Sequence, residues 1–158
     1  EQIWSRHWYS KKFHGPALCY EFAVSIIHGD FCWVNGPFAP GIYNDYKIFK
    51  ERGLLHALED GERVEADDTY IGSDPAHTKT PKSSWHPASG QEVRNTVMAR
   101  QEAAHSRLKT FCALSQRFRH HMDKHQDVLL AVTTVVQLSI NNGERLFTTP
   151  EYNDAHWI

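Results

Sequence analysis

The chain has little of several things, and each shortage narrows what it can be. Its three cysteines, Cys19, Cys32 and Cys112, are odd in number, far apart and without Cys-x-x-Cys spacing. That pattern argues against a disulfide scaffold and leaves small buried side chains in a reducing compartment as the expectation. No stretch reaches the ~18 consecutive apolar residues of a membrane span, and the N-terminus carries no signal-peptide pattern. Charge of one sign is lacking too: 17 Lys and Arg stand against 19 Asp and Glu, a formal net of −2. A protein that coats nucleic acid through overall charge is normally basic, so any such contact here must come from local patches. Gly36, Gly41 and Gly72 form no phosphate-binding Gly-rich motif, no Ser/His/Asp or Cys/His nucleophile pattern stands out, and there is no internal repeat. The chain opens on Glu1 rather than Met, which suggests a fragment.

What remains is ordinary globular material. Hydrophobic residues make up 41% of 158 positions and charged ones 23%, enough for one domain with a substantial core. The apolar, β-branched and aromatic run Ala17–Ile27 predicts a buried strand that stops at His28-Gly29-Asp30. Phe31–Val34 predicts the return strand of a hairpin, with Asn35-Gly36-Pro37 and Pro40-Gly41 as loop punctuation. Asn44 or Asp45 can cap a helix whose apolar positions Ile48, Phe49, Leu54, Leu55 and Leu58 keep helical spacing until about Gly61. Arg63–Ala66 is a short strand candidate that delivers Asp67 and Asp68 at its end. A loop spans Gly72 to Gly90, followed by a long helix from Glu92 to about Leu114, with Val93, Val97, Ala104, Leu108 and Phe111 on one face. Val128–Ile140 is apolar nearly all round and predicts a buried helix, whereas residues 143–158 read as a polar tail. A hairpin followed by alternating helix and strand indicates an α/β protein, a mixed sheet with helices packed on it, over residues 1–142.

Several segments then become specific together. Trp8-Tyr9-Ser10-Lys11-Lys12-Phe13-His14-Gly15-Pro16 comes first, then Trp33-Val34-Asn35-Gly36-Pro37-Phe38 with Asp45 and Ile48-Phe49. Glu62-Arg63-Val64-Glu65-Ala66-Asp67-Asp68-Thr69-Tyr70-Ile71-Gly72 follows, and Arg100-Gln101-Glu102 precedes Arg107-Leu108-Lys109-Thr110-Phe111. In this order they resemble the Harbinger-like branch of the DDE superfamily endonucleases, the catalytic domains of eukaryotic transposases related to bacterial insertion-sequence enzymes. The resemblance runs from about Trp8 to Asn142. It implies an RNase H-like fold, DNA as substrate, nuclear localisation, and a nuclease site of three carboxylates holding two Mg²⁺ or Mn²⁺ ions. A domain of this kind implies a separate DNA-binding partner protein for sequence recognition and allows a homo-oligomer.

Carried onto this chain, the resemblance puts the family's second aspartate on Asp67, three residues before Tyr70, and its glutamate on Glu102, with thirty-four residues between them. The first aspartate belongs upstream of Trp8, and no aspartate precedes Asp30, so a catalytically dead, truncated or domesticated remnant is the competing expectation. Elementary chemistry agrees with the pairing. Hard divalent cations want oxygen ligands, and carboxylates converge only with cations between them. Two such ions ~3.5–4 Å apart stabilise both the attacking and the leaving oxygen of an in-line phosphoryl displacement. An aspartate at a strand end is rigidly aimed and a helical glutamate supplies reach, so Asp67 and Glu102 are expected close enough to share a cation. Asp45 and Asp68 are the reserve metal ligands; Asp45 is ranked behind Asp67 because it opens a helix.

Basic residues gather at Lys11-Lys12 and along the long helix and its exit, at Arg100, Arg107, Lys109, Arg117 and Arg119. Arg100, Arg107 and Lys109 are the expected contacts to the DNA phosphate backbone, holding register without reading sequence. Among the eleven histidines, His120, His121 and His125 with Cys112 present only half of a structural zinc pattern.

Overall fold

The computed structural model describes residues 6–70, 76–80 and 88–146, which fall into two units. Residues 6–22, 33–70 and 76–80 form the first, and residues 23–32 and 88–146 form the second.

In the first unit β1 (Tyr9–Ser10) pairs antiparallel with β2 (Gly15–Pro16), Tyr9 opposite Pro16 and Ser10 opposite Gly15. The apolar run predicted as one strand becomes β3 (Cys19–Val24), which ends before a turn at residues 26–28. β3 forms a two-stranded sheet with β4 (Phe31–Phe38). β4 is twice the predicted length because it runs on through Asn35-Gly36-Pro37 instead of stopping there. Gly36 explains this. Its φ is +132°, and a Cβ there would stand 2.7 Å from a Tyr20 ring carbon and 3.0 Å from the Cys19 carbonyl. A glycine at this position marks close backbone approach inside a strand rather than the end of one.

α1 (Asp45–Arg52) starts as its sequence demands. Asn44 is the cap, its side-chain oxygen accepting from the Lys47 N–H at 2.8 Å, so Asp45 is left free of that task. Ile48 and Phe49 face inward, 1% and 2% exposed. The predicted helix to Gly61 breaks at Gly53, and a separate 3₁₀ turn, Leu54–His56, follows. The cause is a carboxylate: Glu21 Oε2 accepts from the Leu54 N–H at 3.0 Å and from the Trp33 indole N–H at 2.6 Å. A Cβ on Gly53 would lie 2.4 and 2.5 Å from the two Glu21 oxygens and 2.7 Å from the Ile48 carbonyl. Gly53→Ala is therefore expected to destabilise the protein by about 2–4 kcal/mol, through overpacking and displaced hydrogen bonds. A thermal melt superimposable on that of the unmodified chain would contradict this.

β5 (Val64–Glu65) pairs in parallel with β6 (Thr78–Lys79), Val64 opposite Thr78 and Glu65 opposite Lys79. The stretch predicted as loop thus carries a strand; its residues 72–75 and 81–87 lie outside the described residues.

The second unit is built on helices. α2 (Ala88–Lys109) begins four residues before its predicted start and packs on α3 (Cys112–Ser115) and α4 (Lys124–Asn141). Its buried stripe is Arg94, Val97, Arg100, Ala104 and Leu108, the spacing of one helical face. On α4 the buried positions are Leu129, Val132, Thr133, Val136 and Ile140. The expectation of a helix buried all round does not hold. Leu130, Val135 and Leu138 are 43%, 50% and 53% exposed, because the helix has packing partners on one side only among the described residues.

The turn between β3 and β4 is held by both long helices. Arg100 of α2 donates to the carbonyls of Ile26 and, at 3.1 Å, of Ile27. Gln137 of α4 accepts from the Phe31 N–H at 2.8 Å and donates to Asp30 Oδ1 at 2.6 Å. The segment expected as a polar tail begins tied down, with Leu146 5% exposed and the Arg107 guanidinium bonded to the carbonyls of Glu144 and Arg145. Residues 147–158 lie outside the described residues. Helices and strands thus mix as an α/β protein; among the described residues there is no closed barrel, and the strands lie in three two-stranded sheets rather than in one mixed sheet. No described helix is long and apolar enough to cross a membrane.

Candidate functional site

Asp67 stands just beyond the parallel β5–β6 ladder, whose last bond runs from the Ala66 N–H to the Lys79 carbonyl at 2.9 Å. The ladder fixes the backbone up to Ala66, and Asp67 then turns it. Its Oδ1 accepts from the Thr69 N–H at 2.9 Å and from the Thr69 hydroxyl, and its carbonyl accepts from the Tyr70 N–H at 3.2 Å. The side chain is exposed and caps the 3₁₀ turn Asp68–Tyr70. One carboxylate oxygen is taken by this cap, which also sets the direction of the other. No hydrogen bond to Oδ2 occurs among the described residues. Asp68 is exposed at the first position of the same turn.

Tyr70 lies within the field of three acidic residues of the first unit, Asp45, Glu21 and Asp67. Its ring packs edge-on against Phe49 at 5.4 Å and Tyr46 at 6.2 Å between centroids. Burial holds its hydroxyl well above the ordinary tyrosine pKa, and the charges of Asp45, Glu21 and Asp67 push it further in the same direction. Asp45, ranked behind Asp67 on sequence grounds as a helix-opening residue, does open α1. Its carboxylate nevertheless accepts from the Cys19 thiol of β3 at 3.5 Å and shares the surroundings of Tyr70 with Asp67. Burial, then the charge of Asp45, raises the Cys19 thiol to about 12. That thiol stays protonated and unreactive at neutral pH. Cys32 and Cys112 are exposed, contrary to the expectation of three buried thiols; Cys112 opens the short surface helix α3.

Glu21 was not foreseen. Its signal was available, a lone charge inside the apolar run Ala17-Leu18-Cys19-Tyr20-Glu21-Phe22-Ala23-Val24. A carboxylate in such a strand has to find donors, and it finds Trp33 and the Leu54 N–H. Its Oε1 is buried with no hydrogen-bond partner among the described residues.

In the second unit Glu102 is exposed on α2, on the face opposite the buried stripe. Ser106 and Lys109, also exposed, continue that face at helical spacing. Seven residues, two turns, put Lys109 about 10 Å along the axis from Glu102. The two other expected phosphate contacts are bonded within the protein. Arg100 is 4% exposed and tied to the turn carbonyls, with burial lowering its pKa, and Arg107 holds the carbonyls of residues 144 and 145. Of the three, Lys109 alone presents an exposed charge.

As donors, Asp67, Asp45 and Glu102 are hard oxygens of the kind a Mg²⁺ or Mn²⁺ ion takes. Among the described residues no group of three or more His, Cys, Asp or Glu stands together as a metal site, so the donor chemistry fits and a closed ligand set is absent. The half-pattern of zinc ligands at His120, His121, His125 and Cys112 forms no such group either.

Neither the curated proteins nor the solved structures contain a match to the chain. The family model of the DDE superfamily endonucleases matches residues 4–138, most of the chain, and the protein belongs to that family.

Proposed function

We propose that this domain is the DNA-cutting and strand-transferring nuclease of a Harbinger-like transposase, acting in the nucleus with two Mg²⁺ or Mn²⁺ ions. The family acts on DNA and generally uses divalent metals. Within it, the observation that carries the finer reading is the condition of Asp67: exposed at the end of a strand ladder, with its direction set by Thr69 and one oxygen unclaimed. Asp67 and Glu102 are assigned as the principal metal ligands. Of the two reserve carboxylates, Asp45 is preferred to Asp68, because it shares the field around Tyr70 with Asp67. Bound divalent ions supply Lewis-acid stabilisation of the attacking and leaving oxygens at a phosphodiester. The chain's own part is to aim these carboxylates. Thr69 keeps Asp67 in one rotamer, and the packed stripe of α2 fixes the exposed face that presents Glu102 and Lys109. Lys109 then meets a backbone phosphate on the same face. Sequence recognition is left to a separate DNA-binding partner.

The test is nicking of supercoiled DNA with Mg²⁺ or Mn²⁺ and without either. Nicking should need the ion and be lost in Asp67→Ala and in Glu102→Ala. Undiminished nicking in both variants would reject the assignment, whereas DNA binding without nicking in the unmodified chain would favour a binding-only remnant.

A further inference from the structure

Positive charge collects on the connector between α2 and α4. From Lys109 to His125 the chain carries Lys109, Arg117, Arg119 and Lys124 against a single acid, Asp123, within a protein of net charge −2. All four cations are exposed. The one acid is already engaged: Asp123 Oδ1 lies 2.7 Å from His121 Nδ1, which holds its carboxyl below the usual range. Among the described residues no acid pairs with Lys109, Arg117 or Arg119.

The arginines are also directed. Phe118, between them, is half-buried, its ring edge-on to His125 at 4.7 Å and to His120 at 5.5 Å. Burial lowers the pKa of His125, which keeps that ring neutral against Phe118. The exposure pattern at Arg117, Phe118 and Arg119 is exposed, half-buried, exposed. Turning the phenylalanine in turns both neighbours out, so the two guanidinium groups face solvent from an anchored segment. Less ordering is then left to do on binding.

The surface also lacks what a protein or lipid partner would use. Among the described residues the exposed large hydrophobics are Tyr9, Phe13, Ile27, Ile42, Leu130, Val135 and Leu138, and none lies between residues 109 and 125. A protein interface wants an apolar centre, and an interfacial membrane segment wants an apolar face. Exposed arginine forks with no exposed large hydrophobic in the same segment suit phosphate oxygens. We propose that the α2–α4 connector is a sequence-independent phosphate clamp for duplex DNA, gripped by Arg117 and Arg119 and flanked by Lys109 and Lys124. The proposal rests on the reading of DNA as substrate, but not on the metal ligands.

The experiment is binding of the whole chain to a duplex DNA in EDTA, with salt titrated, so that no nicking enters. Arg117→Ala/Arg119→Ala should weaken binding about tenfold or more and lower the slope of log K against log salt by about 2, roughly 0.9 per lost phosphate contact. Arg117→Lys/Arg119→Lys should keep most of the slope. A charge-matched control, Lys11→Ala/Lys12→Ala, should change affinity far less. Unchanged affinity and slope in the alanine pair would overturn the clamp, as would an equal loss in the control, which would make net charge the cause. Polyglutamate competing as well as DNA, charge for charge, would assign the surface to acidic chains and overturn it too. Because binding is read in EDTA, without the divalent ions that the nuclease assignment requires, failure of the nuclease assignment and failure of the clamp are separately visible.

Discussion

Asp67→Ala and Glu102→Ala are each expected to lower metal-dependent DNA nicking by about 10²–10³-fold or more. Asp67 and Glu102 would hold the divalent ions, and those ions would supply stabilisation of the attacking and leaving oxygens. Losing one ligand therefore removes most of what the pair supplies, and the double variant should be little worse than either single one. Asp45→Ala should also reduce nicking, whereas Asp68→Ala should leave it within a few-fold of normal, because Asp68 is exposed at the start of its turn and does not figure in the field around Tyr70. Thr69→Val separates aim from ligation. It removes the hydroxyl bond to Asp67 Oδ1 but keeps the carboxylate, so nicking should fall less than in Asp67→Ala, with a higher metal requirement. Equal activity in Asp67→Ala and the unmodified chain would remove the basis of the assignment.

Arg100→Met is the substitution with the largest expected effect on stability. The side chain is 4% exposed and its guanidinium satisfies two turn carbonyls, Ile26 and Ile27, while Asp30 adds a favourable charge. Methionine keeps much of the volume and none of the donors. Two part-buried hydrogen bonds from a charged donor are lost, each contributing about 1.5–3 kcal/mol, so a loss of about 3 kcal/mol is expected. For a chain of this size that lowers Tm by roughly 6–12 °C. Lys109→Met, on the exposed face of the same helix, should stay within about 0.5 kcal/mol. An unshifted Tm in Arg100→Met would mean that the turn does not depend on the helix.

The contrast between these two residues shows where sequence reading reaches its end. Arg100 and Lys109 look alike in a list of basic residues on one helix. They differ by their position around it, and Arg100 falls in line with Val97, Ala104 and Leu108. That much was legible from spacing, but a buried arginine needs acceptors, and the Ile26 and Ile27 carbonyls lie 74 and 73 residues away in the chain. Local signals did well where the physics is local. The Asn44 cap, the inward Ile48 and Phe49, and the short strand before Asp67 all follow from neighbours within a few residues. They failed where a distant group intervened. The end of α1 at Gly53 is set by Glu21, and the passage of β4 through Asn35-Gly36-Pro37 is made by the close approach of Tyr20. On α4 composition misled, since Leu130, Val135 and Leu138 sit at spacings that no described partner covers. For the candidate site, the choice of Asp67 and Glu102 came from the family motifs. What they could not convey is that Asp67 is also a turn cap, or that Asp45 stands near the same tyrosine.

Iron cleavage mapping addresses the metal assignment without relying on catalysis. Fe²⁺ substituted into a Mg²⁺ site, with ascorbate and peroxide, cuts the backbone beside its own ligands. Two cuts are expected, one next to Asp67 and one next to Glu102, both suppressed by excess Mg²⁺ and both lost in Asp67→Ala. Cutting beside only one of the two, or a pattern unaltered by Asp67→Ala, would contradict a cation held by these carboxylates.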